Sequence, residues 1–130
     1  MATSNAFSDY LENKVLDHVF GSTAMTQPTR YLALLTAAAT DSTGGTEVIG
    51  AWYSRKAITF GAASGGTISN NNTLDFGTVS GSAVTITHWA ILDAVTGGNV
   101  LTYGDFGGGQ TASVGNNVSV QSGTVSISLN

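Results

Sequence analysis

The sequence predicts an all-β fold, a β-sandwich or jelly roll with one short α-helix at its N-terminus. Three observations carry that expectation. Hydrophobic residues recur with a period near four as far as Val19, and with a period of two beyond Gly21. Ser and Thr make up about a quarter of the chain and are joined by 17 Gly, and such a composition suits strands and turns. Turn signals such as Gly65-Gly66, Asn70-Asn71-Asn72 and Gly97-Gly98 punctuate the chain, and about eight strands recur at a spacing of roughly ten residues.

The helix is expected over residues 5–20. Phe7, Leu11, Val15 and Val19 form one stripe, widened by Tyr10 and Leu16. Ser4 or Ser8 is placed to cap its N-terminus, and Gly21 stands where a left-handed C-terminal residue is expected. Asp9 and Glu12 near the start and His18 near the end suit the helix dipole. A stripe of this kind needs a surface to pack on.

Strands follow from Thr29 onward. Thr29 to Thr36 is apolar at nearly every position, as in a strand buried on both faces. Thr40 to Glu47 reads as a loop, and Ile49 to Gly61 as one long or two short strands around Trp52, Ile58 and Phe60. Thr67 to Ser69 and Thr73 to Phe76 are short strands. Ala83 to Asp93 is the clearest one, with Val84, Ile86 and His88 on one face and Thr85, Thr87, Trp89 and Ile91 on the other. Thr96 to Asn99 predicts a hairpin turn into a strand from Val100 to Phe106. Gly107 to Gly109 reads as a loop, and Val114 to Val120 as a strand. The chain closes on alternation, with Val125, Ile127 and Leu129 expected inward. About eight strands with no linker between them predict one domain over residues 1–130.

Composition narrows the function. Charged residues are only 9% of the chain, against about 25% in an ordinary soluble domain. Four basic residues cannot neutralise the roughly six to ten phosphates that many DNA binders engage, so nucleic acid is not an expected partner. No apolar run reaches the length of a membrane span, and the N-terminus lacks the basic start and apolar core of a secretory signal. The absence of Cys excludes disulfides, thiolate metal sites and Cys nucleophiles. Neutral strand edges pair readily with one another, so burial in an assembly, with the chain self-associating, is expected.

No constellation of residues points to catalysis. His18 and His88 stand apart, with no third ligand at metal spacing. There is no Gly-x-Ser-x-Gly elbow, and the glycines from Gly104 to Gly109 lack the Lys-Ser/Thr ending of a phosphate cradle. Asp75, Asp93 and Asp105 read as turn and strand-end caps rather than a carboxylate pair. No cofactor, metal or catalytic residue is expected. Arg55-Lys56, the one adjacent basic pair, is the candidate partner contact. Trp52, Tyr53, Trp89 and Tyr103 form a candidate sugar platform, against which stands a simpler place in the core.

Several segments taken in order resemble a known family. They are Tyr10-Leu11-Glu12-Asn13-Lys14, Tyr31-Leu32-Ala33-Leu34-Leu35-Thr36, Tyr53-Ser54-Arg55-Lys56-Ala57-Ile58-Thr59-Phe60, Thr87-His88-Trp89-Ala90-Ile91-Leu92-Asp93 and Val125-Ser126-Ile127-Ser128-Leu129. The ordered set resembles small tailed-bacteriophage structural proteins, labelled capsid cement or tail-fibre-like. The resemblance implies a non-enzymatic β-sandwich made in the bacterial cytoplasm and carried on the capsid exterior. It implies the major capsid protein as partner, reached by a homo-oligomer (a dimer or trimer). The alternative it implies is a tail-fibre protein that binds a receptor or glycan.

Overall fold

In the computed structural model, which describes residues 5–129, ten strands and one helix follow one another. They are β1 (Asn5–Phe7), α1 (Asp9–Val19), β2 (Tyr31–Ala37), β3 (Thr46–Glu47), β4 (Lys56–Ala57), β5 (Thr67–Ser69), β6 (Leu74–Thr78), β7 (Val84–Leu92), β8 (Val100–Ala112), β9 (Asn117–Val120) and β10 (Ser126–Ser128). Six of the strands make one antiparallel sheet in the order β1-β8-β7-β2-β3, with β4 also paired to β2. Two ribbons, β5 with β10 and β6 with β9, complete the set. The fold is all-β with a short N-terminal helix. One large sheet against two small ribbons is a lopsided sandwich, not the two matched sheets of a jelly roll.

The apolar run in β2 explains the centre of the sheet. Leu32 and Leu34 face a main core with Trp89 and Ile91 of β7, Leu74 and Phe76 of β6, and Val120 and Val125. Ala33 and Leu35 point the other way, into a second cluster with Ala39, Ala90 and Leu92. Only Leu32 to Leu35 is buried on both faces, and that stretch carries no polar residue, whereas Thr36 is exposed.

The helix starts later than expected. Asn5 to Phe7 instead pairs with β8 (Phe7 opposite Thr102), and the Thr102 hydroxyl donates to the Ala6 carbonyl at 2.7 Å. Backbone satisfied by a sheet edge has no reason to coil. Ser8 is then the N-cap, with its Oγ accepting from the Leu11 N–H at 3.2 Å. The same hydroxyl donates to the Val100 carbonyl, so one buried serine joins β1, α1 and β8. Ser4, the other expected cap, lies outside the described residues. Gly21 is not left-handed, and Phe20 ends the helix in a right-handed conformation. Glycine is required there by proximity, since a Cβ would come within 2.9 Å of the Asp17 carbonyl oxygen.

Three further departures have identifiable causes. In β7, Ile86 pairs with Gln110 but His88 with Asp105, and this register shift flips the alternation at Thr87. Ile86 therefore joins Trp89 and Ile91 in the main core instead of sharing the face of His88. His88 does lie opposite Trp89, beside Leu35 of the second cluster. Secondly, Gly107 to Gly109 are not a loop but part of β8, where Gly107 and Gly108 take positive φ angles of 79° and 142° within the irregular pairing. Finally, Ile49 to Gly61 keeps only β4 as strand. Val48, Ile58 and the half-buried Trp52, Tyr53 and Phe60 reach the core from irregular backbone, which earns no period-two signature. Val114 is exposed before β9 begins, and so is Leu129 after β10 ends.

Candidate interaction surface

The expected contact pair, Arg55 and Lys56, separates on folding. Arg55 is turned inward, with a side chain only 10% exposed. Its Nε donates to Glu47 Oε2 at 3.0 Å and one Nη to Oε1 at 2.9 Å, the two-pronged geometry that suits guanidinium and carboxylate. The other Nη donates to the carbonyls of Ala94 and Gly97, both at 2.8 Å. Arg55 thus ties the loop before β4 to the tip of the β7–β8 hairpin and to β3. Lys56, half-buried in β4 opposite Leu32, forms no ion pair among the described residues.

The aromatic residues do not converge on a platform. Trp89 is 1% exposed, and its indole N–H donates to the Asp105 carbonyl at 3.2 Å. Tyr53 stacks on Phe76 with ring centres 5.9 Å apart, and Trp52 meets it edge-on. The Tyr53 hydroxyl donates to Glu47 Oε2 at 2.5 Å and accepts from the Leu34 N–H at 3.1 Å. Tyr103 lies with the second cluster and donates to Asp41, which pins the loop after β2 across that face. These rings hold the fold together.

Electrostatics follow this wiring. Burial pushes the Glu47 carboxyl up, but hydrogen bonds from Arg55 and Tyr53 and the nearby guanidinium charge outweigh it and leave the group below its ordinary value. Burial and the Glu47 contact both push the Tyr53 phenol up. Tyr103 is pushed up to about 12, chiefly because its hydroxyl bonds to Asp41. The three acids read as caps do take turn N–H groups: Asp75 that of Gly77, Asp105 that of Gly107, and Asp93 that of Asn99. His18 Nδ1 accepts from the Met25 N–H, and His88 shares a hydrogen bond with its neighbour Thr87.

Three exposed regions present apolar side chains or open backbone. Ile49 is 94% exposed and shares a groove of about 430 Å³ with Val95 on the hairpin tip, walled by the Glu47–Arg55 pair. Beyond Gly104, β8 has β7 on one side and no strand on the other among the described residues. Leu16, Val19 and Phe20 leave the end of α1 apolar and open. Arrangements of this kind recognise a surface by shape and backbone pairing. Sequence reasoning passed over Val95, whose apolar side chain within a turn was the available signal. It placed Ile49 at the start of a strand running to Gly61.

Comparison with known proteins gives these surfaces a context. No curated protein matches the chain. Residues 6–128 match the family described as Podophage GP4 fiber I protein gp80. That match takes in every complete element from α1 to β10, including the Arg55–Glu47 pair and the exposed surfaces. It supports the fibre alternative more than the capsid-cement reading. The chain belongs to the Podophage GP4 fiber I protein gp80 family and is a phage virion structural protein.

Proposed function

We propose that this protein is a non-catalytic part of a podophage fibre, built into the virion through neutral, shape-matched surfaces. The observation that carries the reading is the match of residues 6–128 to a fibre family. The structure supports it in kind. The ionic and aromatic groups that a catalytic or sugar-binding centre would need to expose are engaged inside the fold. The free β8 edge and the Ile49–Val95 groove suit attachment to neighbouring virion proteins. Uncharged contacts avoid the desolvation cost of burying ions, and repetition around a virion strengthens weak attachments.

Gold-labelled antibody against the protein, applied to intact virions, tests the assignment. Label confined to tail-associated fibres is expected. Label spread over the capsid shell, with purified capsids gaining resistance to heat when the protein is added, would replace the fibre reading with the cement reading.

A further inference from the structure

Two surfaces left unsatisfied in one copy complement each other. The first is the C-terminal end of α1, where Leu16, Val19 and Phe20 are 56%, 58% and 81% exposed. Asp17 lies among them, exposed and in no ion pair among the described residues. An unpaired acid set among open apolar side chains suits a docking knob.

The second surface is a groove of about 310 Å³ between α1, β1 and the β5–β10 ribbon. Its walls include Phe7, Leu11, Met25, Phe60 and Ile127, and among the described residues Arg30 is the only charged one lining it. Arg30 donates from one Nη to the Pro28 carbonyl at 3.1 Å. Its Nε is buried without a hydrogen-bond partner, and no carboxylate pairs with it among the described residues. A guanidinium left so is costly to the single copy and ready for a carboxylate.

The geometry points to a second copy of this chain as the occupant: we infer that the Leu16–Phe20 end of α1 seats in the Arg30 groove of a partner, with Asp17 paired to Arg30. Charge complementarity selects this occupant. The knob supplies one acid in an apolar surround, and the groove supplies one cation in an apolar surround. Asp9 and Glu12, on the same helix, instead bear on Tyr103 on the other side of the sheet. Knob and groove are also neighbours, because His18 at the helix end accepts from the backbone of Met25 in the groove wall. A patch that carries both halves can meet itself about a two-fold axis, so that each copy gives a knob and receives one.

Charge reversal with mixing tests the inference by sedimentation equilibrium at micromolar concentration, with circular dichroism to verify folding. Wild type is expected to dimerise. Asp17→Arg alone and Arg30→Asp alone should each weaken association by on the order of tenfold or more. An equimolar mixture of the two variants should recover it, since both knob–groove contacts in the mixed dimer again join opposite charges. Phe20→Ser, at an exposed site, should weaken association while its circular dichroism spectrum stays that of the folded wild type. A monomeric wild type overturns the inference. So does a mixture no tighter than either variant while both remain folded. If Arg30→Asp does not fold, Arg30→Gln replaces it, and failure of that variant to weaken association is equally decisive against the pairing.

Discussion

Trp89 and its neighbour His88 share one strand and opposite fates. Trp89 lies in the main core with its indole N–H bonded, whereas His88 is half-buried beside the second cluster. Truncating a buried aromatic removes transfer energy and leaves a cavity, so Trp89→Ala should cost about 3–5 kcal/mol in urea denaturation. His88→Ala should cost under about 1.5 kcal/mol, the worth of its bond to Thr87. Equal costs would mean that the flip at Thr87 is misassigned. Arg55 gives a second contrast. A lysine carries the charge but not the fork, so Arg55→Lys cannot bridge Glu47 and two carbonyls at once. A loss of about 1–3 kcal/mol is expected, read as a lower thermal midpoint.

At the scale of elements, short polar side chains and glycines decide where helix and hairpin begin and end. Ser8→Ala removes the cap of α1 and the bond to Val100 together, and should cost about 1–3 kcal/mol. In the β7–β8 connection, Gly98 has φ of 80°, and a Cβ would fall 2.6 Å from Asp93 Oδ1. That carboxylate already holds both N–H groups of Asn99, at 2.7 and 3.0 Å. Gly98→Ala should therefore cost at least about 1–2 kcal/mol, the left-handed penalty plus displacement of Asp93. Amide hydrogen exchange should show faster opening of the hairpin tip in this variant and little change in the β6–β9 ribbon.

The whole molecule should respond to pH from both ends. Glu47 lies below its unfolded value of 4.5, so its contribution is present above that pH. As pH falls through the depressed folded value, the unfolded chain binds the proton first and stability drops. Glu47→Gln should flatten the fall in melting temperature on the acid side. At the alkaline end the sign reverses. Tyr103 ionises near 12 in the fold and near 10.0 when unfolded, so its contribution is complete below pH 10 and lost as pH rises toward 12. Tyr53 moves in the same direction. Tyr103→Phe should shrink the loss across that window, and an unchanged profile would separate the Asp41 contact from stability.

The sequence by itself determined what periodicity and turn chemistry report. The buried β2, the strand β7, the Gly97-Gly98 connection and the short strand at Thr67–Ser69 could be read because each depends on residues near in sequence. Low charge and the absence of Cys likewise bounded the chemistry before any contact was known. The tertiary structure decided the rest. Asn5 to Phe7 became a strand only because β8 offered an edge, a partner almost a hundred residues away. Three glycines stayed within a strand because β7 pairs on either side of them, with Asp105 before and Gln110 after. Arg55 looked like a surface contact because the carbonyls of Ala94 and Gly97 that draw it inward are about forty residues distant. Local pattern encodes which face of an element is apolar, but the partner that covers it is chosen by packing across the whole chain.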